Sequence, residues 1–477
     1  MITRTCLGLA LLLPAYAVAD DTHYQDLIMG EDALGMGGAF TAVADDASAA
    51  FYNPGGLALI KGSSLSGSLS VYGYERRTLT DGLQTQQGNR TLQHEDYPTR
   101  PFGGGVVKRF GKKGPDRVRP FAFAMSTYIP YQSNYRWQIG YRIDDPYEYD
   151  PYYEPVLYTD RTITISEDDK TIWAGPSLAW RVSDRLGLGF SAFLSTRTLD
   201  RHYDESWVDV TTEVEDGSDV ADYANIITTD LSMTALTTVL RFGVLWSPAP
   251  RFRLGLMLSP PSIPIMSSGD LRNRSLLATA GLAPTYDRST VDVEEINAAM
   301  PANARLGLAY AFSESSLVAV DGSVHLPLEY TSDEPLVLLP PGSTFTDNYW
   351  VAVFERRLTT NVNVGFETMV GEHVPIRVGV FTNFSSAPDP VAGSVPMQPS
   401  VDMFGGSIAL GYRDEGYAIS IGAAGMAGNG YGLSFNSDPL AGRPYEREDY
   451  RQRAFYLFLS GAKQAAGRAV RDFTKFE

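Results

Sequence analysis

Four arginines occupy equivalent positions in four apolar, alternating segments, and they offer the clearest chemistry in the chain. They are Arg241, Arg253, Arg305 and Arg377, each followed two positions later by a glycine. This pattern directs all four side chains away from the apolar face of their segments. A guanidinium in that position can hold a carboxylate through two charge-assisted hydrogen bonds. Alternatively, because a buried charge needs a partner, the arginines pair with acids of an internal segment, such as Asp45 and Asp46. We favour this second role for any single arginine.

Histidine and cysteine usage gives little support for catalysis. None of the five histidines stands in an HExxH or GxSxG context. They are His23, His94, His202, His325 and His373. A serine–histidine pair that forms only in the folded chain, with His325 as its base, stays an alternative. The only cysteine is Cys6, near the N-terminus. We expect no enzymatic activity, no metal site and no cofactor.

Strands of alternating character must position the arginines. Between residues 186 and 192, for example, Leu186, Leu188 and Phe190 alternate with glycine and serine, which is the pattern of an outer-membrane barrel. We predict fourteen such strands, near residues 64–79, 101–110, 119–130, 170–181, 186–199, 229–246, 252–261, 304–312, 317–331, 349–369, 376–386, 402–412, 417–428 and 450–461.

The connections between these strands alternate in length. Short turns are predicted near residues 111–118, 182–185, 247–251, 313–316, 371–375 and 413–416. Long polar connections are predicted near residues 80–100, 131–169, 200–228, 262–303, 332–348, 387–401 and 429–449. Short periplasmic turns and long extracellular loops are typical of bacterial outer-membrane barrels. The sequence therefore predicts an all-β fold, a 14-stranded antiparallel transmembrane β-barrel with both termini in the periplasm.

An N-terminal leader and the overall charge narrow the location. Arg4, an apolar core over residues 7–13 and the small residues Ala17 and Ala19 predict a cleaved signal peptide over residues 1–19. No later window offers the roughly 18 apolar residues of a transmembrane helix. The net charge of −17 and pI of about 4.8 argue against a nucleic-acid partner.

The lumen of a barrel this wide needs a filling, and residues 20–61 are the obvious candidate. Asp45 or Asp46 is placed to cap a short helix that runs to Tyr52, and Pro54 would end it because proline disfavours helical geometry at Asn53. The alternative is that residues 53–56 form an ordinary turn into the first strand.

The same segment carries a resemblance to a known family. Its glycine-rich opening at residues 35–38, the run at residues 44–48 and the residues Phe51, Tyr52, Asn53 and Pro54 resemble the N-terminal hatch of the FadL family. Gly55 stands where that family usually has alanine. These proteins are outer-membrane channels for long-chain fatty acids and other hydrophobic molecules. The resemblance implies a hatch that gates the channel, with Asp45, Asp46, Asn53, Pro54 and Gly55 as gating residues.

The resemblance also implies capture of the ligand outside the membrane. The long connection after the seventh strand resembles, in position, one wall of the family's external hydrophobic groove. Its candidate residues are Ile263, Ile265, Met266, Leu276 and Leu277. The many acids between residues 204 and 222 match no calcium-loop spacing. We interpret them as a solvated face, bridged by divalent cations to anionic lipopolysaccharide.

Together these features predict a monomeric channel of the bacterial outer membrane, with its barrel over residues 62–461 and a periplasmic tail over residues 462–477. We expect it to take up hydrophobic small molecules, with long-chain fatty acids as the leading class, by external capture, luminal binding and hatch movement. The alternatives are an aromatic hydrocarbon channel of the same family, a general porin and a structural barrel. Expected partners are outer-membrane lipid, lipopolysaccharide and the barrel assembly machinery, which must accommodate the unusual tail.

Overall fold

The computed structural model describes residues 22–24, 28–60, 62–84, 88–113, 119–144, 156–212, 219–293, 300–328, 356–392, 399–414, 416–436 and 446–464. The strands form one sheet, with the bounds β1 Ser64–Gln84, β2 Arg90–Asp96, β3 Pro101–Phe110, β4 Phe121–Asp144, β5 Val156–Ser183, β6 Leu186–Thr212, β7 Asp219–Ala249, β8 Phe252–Ser259, β9 Ile263–Thr279, β10 Thr285–Val293, β11 Asn303–Ala311, β12 Ser316–His325, β13 Thr359–Val370, β14 Val374–Asn383, β15 Ser400–Arg413, β16 Tyr417–Leu433, β17 Phe435–Asn436 and β18 Arg447–Gln464.

Fourteen of these strands form a closed antiparallel wall. They are β1, β3 to β8, β11 to β16 and β18, and β1 closes the circle by pairing with both β3 and β18. The four other strands lie beside extensions of the wall, at the end with the long connections. The predicted 14-stranded antiparallel barrel is confirmed. Among the described residues, no helix is long and apolar enough to cross a bilayer.

The wall has an apolar outer face and a polar or small-residue inner face. On β11, Leu306 and Leu308 are exposed, whereas Arg305 and Gly307, which alternate with them, are buried. Successive residues of a strand point to opposite faces, so the exposed parity faces lipid and the buried parity faces the lumen. The strand patterns had predicted this division.

Several strands are longer than the sequence pattern predicts. The predicted connections 131–169 and 200–228 are mostly strand, because β4 continues to Asp144 and β6 continues to Thr212. The predicted connection 262–303 contains the β9–β10 hairpin. In these extensions the outward residues are polar, such as Arg142 and Asp144, and inward ones such as Tyr141 and Ile143 are buried, so the apolar-outward alternation that marks a spanning segment is lost. Of the predicted tenth strand, 349–369, residues 349–355 lie outside the described residues.

The ends of the barrel also differ slightly from the predicted boundaries. The first strand begins at Ser64, and the last continues to Gln464, which pairs with Ser64. Residues 462–464 therefore belong to the wall and not to a tail. The leader at residues 1–19 and the rest of the tail, residues 465–477, lie outside the described residues.

The N-terminal segment, residues 28–60, runs across the inside of this wall. It contains the short helices α1 (Glu31–Gly35) and α2 (Ala49–Tyr52) and a 3₁₀ helix (Pro54–Ala58). Inward glycines allow the close approach: a side chain on Gly379 would collide with Gly37, and one on Gly307 would collide with Ala42. Gly243 and Gly255 are contacted in the same way. The segment contacts β14, β15 and β16 through α1, and β4 to β7 through the 3₁₀ helix, so it reaches opposite sides of the lumen.

Candidate functional site: the lumen and its N-terminal segment

One end of the segment meets the wall in a buried ionic cluster. Arg377 Nη2 lies 2.5 Å from Asp32 Oδ1, and Arg377 Nε lies 2.8 Å from Glu367 Oε2. Arg413 Nη2 approaches the same Asp32 oxygen at 3.1 Å. Glu367 is opposite Arg377 in the β13–β14 register. Two cations and two anions, all buried, therefore balance each other and tie α1 to the wall.

The opposite end of the segment meets an arginine of the same inward parity in a different way. Arg241 Nη1 donates a hydrogen bond to the Phe51 carbonyl, and its guanidinium carbon lies 4.1 Å from the Phe51 ring and 4.8 Å from the Trp173 ring. The guanidinium of Arg305 lies 5.4 Å from the Tyr52 ring. Within the described part of the chain, neither guanidinium has a carboxylate within 4 Å.

One acid offsets part of this positive charge. Asp321 accepts hydrogen bonds from the backbone amides of Phe40 and Thr41, both at 2.9 Å, and attracts Arg305 electrostatically. Arg241, Arg305 and Asp321 together carry a net charge of +1, and all three are buried. The arrangement leaves Arg241 with neutral partners, a backbone carbonyl and two aromatic rings.

The structure places the predicted acids away from these two arginines. Asp46 accepts from Ser48 N at 2.7 Å and from Ser48 Oγ at 2.5 Å, so it orders the turn before α2, whose N-cap is Ser48 itself. Asp45, its neighbour, is half-buried. Neither acid pairs with Arg241 or Arg305. The acid that meets an inward arginine is Asp32, which the sequence analysis did not single out. Arg253, on β8, shares the inward parity of the others.

Asn53 is the residue that joins the turns of the segment to each other and to the wall. Its Nδ2 donates to Thr41 O at 2.8 Å and to Val244 O at 2.9 Å, and its Oδ1 accepts from Gly55 N at 3.1 Å. Its extended backbone ends α2 at Tyr52, and Pro54 then starts the 3₁₀ helix. Residues 53–56 are thus more than a turn into the first strand, since the whole stretch is buried against the wall.

The groove candidates lie on β9 in two separate groups. Ile263, Ile265 and Met266 are exposed at its start, and Leu276 and Leu277 lie about ten residues further on, roughly 33 Å along a strand. Leu277 also faces the side opposite Leu276, because successive strand residues alternate. The five residues therefore do not line one surface, and the capture role of all five stays a prediction.

An apolar pocket, which the sequence analysis missed, lies between the segment and the wall. It is lined almost wholly by apolar side chains, with the segment contributing two of them. Its lining residues are Ile28, Leu34, Phe102, Phe381, Ala424, Gly425, Met426, Tyr456 and Phe458. The available signal was the large apolar residues Phe102, Phe381 and Phe458 on the inward parity of their strands. The volume of the pocket is only about 20 Å³, close to that of one water molecule, so an apolar ligand would fit only if the segment moved.

The wall is irregular beside this pocket. Residues 97–100 leave the sheet between β2 and β3, and β1 and β4 both change register here. Gly103 has a φ of 150°, which favours glycine. Arg100 fixes the irregularity to β1, since its Nη1 lies 2.7 Å from Glu75 Oε1. Phe102 belongs both to this irregularity and to the pocket lining, so the two adjoin.

A closed barrel whose lumen holds its own N-terminal segment, with an apolar pocket beside that segment, defines a class of outer-membrane channels that are not open pores. Residues 16–324 match the family model of the outer membrane protein transport proteins (OMPP1/FadL/TodX). The chain belongs to this family, and it is an outer-membrane transport protein for hydrophobic compounds.

Solved structures agree in fold at low sequence identity. A Pseudomonas aeruginosa FadL homologue is 17% identical, with 93% of this chain and 99% of that chain covered and a TM-score of 0.58. The Pseudomonas putida toluene transporter TodX is 13% identical, with 92% and 99% covered and a TM-score of 0.54. The Ralstonia pickettii toluene transporter TbuX is 14% identical, with 91% and 98% covered and a TM-score of 0.52. Comparison with curated proteins returned no match.

Proposed function

We propose that this protein takes up long-chain fatty acids through the apolar pocket between its N-terminal segment and its wall, once movement of the segment enlarges that pocket. The observation that carries the proposal is that Ile28 and Leu34 of the segment complete the pocket lining. A ligand that enters the pocket therefore contacts the segment itself. Movement of the segment, acting as a hatch, would then couple binding to passage, with no covalent step and no enzyme activity.

The route begins outside the membrane and ends beside the pocket. The exposed apolar residues Ile263, Ile265 and Met266 offer a first contact for a hydrophobic molecule. The irregularity at residues 97–103 adjoins the pocket and coincides with register shifts in the pairing of β1 and of β4. We propose it as the position of release. The protein acts as a monomer and is inserted by the barrel assembly machinery.

The inward arginines favour a ligand with a carboxylate. Arg241 and Arg305 carry more positive charge than Asp321 offsets, and the groups in direct contact with the two guanidiniums, a backbone carbonyl and aromatic rings, are neutral. A carboxylate that approaches them as the segment moves would gain charge-assisted hydrogen bonds in a low-dielectric site. Aromatic hydrocarbons lack that group and would gain nothing from the charge. Arg377 is a weaker candidate, because it is already paired with two acids. Arg253 stays a candidate on its inward parity alone.

The test is uptake of labelled oleate and of labelled toluene by cells that lack other channels of this family. We expect expression of the protein to raise oleate entry by at least about ten-fold, because the recipient cells lack any other channel of this family for the fatty acid. Entry of toluene without oleate would favour the aromatic hydrocarbon alternative. If neither enters while small sugars pass freely, the protein is a general porin and the proposal is wrong.

A further inference from the structure

The outer face of the last strand carries a cationic strip directly above its lipid-facing residues. Phe455, Leu457 and Leu459 are exposed on one parity of β18, and the same parity continues with the exposed Arg453 and Arg451. At the other end the next charged residue of this parity is Lys463. These side chains all face away from the lumen.

The spacing puts Arg453 at the outer border of the apolar band. Arg453 and Lys463 are ten residues apart on β18. At about 3.3 Å per residue and a tilt near 40°, they are separated by roughly 25 Å across the membrane, the usual height of the apolar band. With the short turns in the periplasm, Lys463 marks the inner border and Arg453 the level of the outer-leaflet headgroups.

Neighbouring strands widen the strip into a shallow groove. Arg76 on β1 is directly opposite Arg453, and Asn429 on β16 is opposite Arg451. Beyond Arg451, the guanidinium of Arg447 lies 3.6 Å from the Tyr431 ring. The groove is lined by Asn429, Gly430, Tyr431, Asp449, Tyr450, Arg451 and Arg453. It thus combines cations with amide, hydroxyl and ring groups.

The charge of this strip is not neutralised by the protein. In the described part of the chain, no carboxylate lies within 4 Å of the Arg451 or Arg453 guanidinium, although Asp449 is close in sequence. Arg76 donates a hydrogen bond to Gln93 at 2.7 Å and has one carboxylate partner, Glu95, at 3.7 Å. On the outward parity, Arg76, Arg447, Arg451 and Arg453 against Glu95 and Asp449 give a net charge of +2, on a chain whose total is −17. Glu448 lies on the other parity of β18, and Glu446 precedes the strand.

We propose that this strip, Arg76, Arg447, Arg451 and Arg453 with Asn429 and Tyr431, binds the phosphate groups of lipopolysaccharide in the outer leaflet. Phosphate lies at the border between acyl chains and sugars, which is the level of Arg453. The planar fork of arginine suits phosphate oxygens. Asn429 and Tyr431 are placed for the sugar hydroxyls, and the acyl chains would pack on Phe455 and Leu457.

The test uses the full-length protein with Arg451→Gln and Arg453→Gln together. The matched control is Arg272→Gln with Arg274→Gln, two arginines at the same spacing on β9 that are paired with Asp270 and Asp230. Lipopolysaccharide retained by purified protein is measured by mass spectrometry, and binding is measured in nanodiscs. We expect about five-fold weaker binding for each arginine lost from the strip, and less than two-fold change for the control.

The proposal is overturned if the double variant retains lipopolysaccharide, or if the control loses as much of it as the double variant. It is also overturned if the double variant binds equally less well to nanodiscs of phosphatidylglycerol, because the strip would then bind any anionic lipid. If the double variant does not assemble, the single Arg453→Gln variant gives the same comparison, with assembly checked by heat-modifiable gel mobility. Oleate uptake is expected to stay unchanged, so this test is independent of the proposed function.

Discussion

The two ends of the N-terminal segment meet the wall through the same type of residue but with opposite electrostatics. At one end Arg377, with Arg413, balances Asp32 and Glu367 in a buried cluster. At the other end Arg241 has only the Phe51 carbonyl and two aromatic rings. An arginine that faces the lumen therefore does not have its role fixed by that orientation alone. The compensated arginine ties the segment to the wall, whereas under the proposed function the uncompensated one is available to an anion.

The largest expected effect is on the compensated end. Arg377→Gln leaves two buried carboxylates with a single cation, and breaking a buried pair in this way costs about 3–5 kcal/mol. We expect the segment to loosen and the conductance of the purified barrel to small ions, measured in planar bilayers, to rise.

The matched control for this change is Arg142→Gln. Arg142 pairs with Asp160 on the outer part of the wall, where both side chains are about half exposed. The hydrogen bond from Arg142 holds the pKa of Asp160 below its usual value, but an exposed pair contributes only about 0–1 kcal/mol. Equal conductance for the two variants would mean that the Asp32 cluster does not hold the segment.

The second effect is on the uncompensated end. Arg241→Gln keeps most of the side-chain volume but removes the charge, and loss of a buried charge-assisted contact costs about 2–5 kcal/mol. We expect oleate binding, measured by calorimetry, to weaken while toluene binding is nearly unchanged. Arg241→Lys retains the charge and serves as the control. If binding of both ligands weakens equally, Arg241 holds the segment, and the two ends of the segment do not differ in role.

A smaller effect is expected where neutral hydrogen bonds hold the second end. Asn53→Ala removes two donated bonds and one accepted bond, and leaves buried backbone groups unpaired at a cost of about 1–3 kcal/mol. Hydrogen exchange should quicken around residues 49–58 and stay unchanged at Asp32. Asn53→Asp, which retains the acceptor, should have an intermediate effect. Faster exchange at both ends would mean that the segment moves as one unit.

The smallest effect concerns the aromatic support of Arg241. Phe51→Leu removes the ring 4.1 Å from the guanidinium carbon but keeps the carbonyl that accepts its hydrogen bond. A cation–π contact contributes about 0.5–2 kcal/mol, so oleate affinity should change by about thirty-fold at most. Phe381→Leu, in the pocket lining, is the comparison, and it should weaken oleate and toluene alike. A change confined to oleate in both variants would contradict this separation.

Alternation alone was sufficient to predict the wall and the inward parity of residues such as Arg305 and Gly307. It could not predict the partner of Arg377, because which acid meets which arginine depends on the path of the segment across the lumen. Asp32 and Glu367 are 335 positions apart in sequence and meet only in the fold. The pocket was readable in principle, since Phe381 and Phe458 are large apolar residues on an inward parity of small neighbours.

The unusual height of one side of the barrel has a consequence for whatever approaches the cell. β7 has 31 residues, whereas about 9–11 cross the apolar band. The remaining twenty or so, tilted near 40°, extend on the order of 50 Å beyond it. These extensions hydrogen-bond to their neighbours along their length. The exposed rim is therefore a folded surface of fixed shape, and an antibody or a phage fibre would meet it well before it met the lipid.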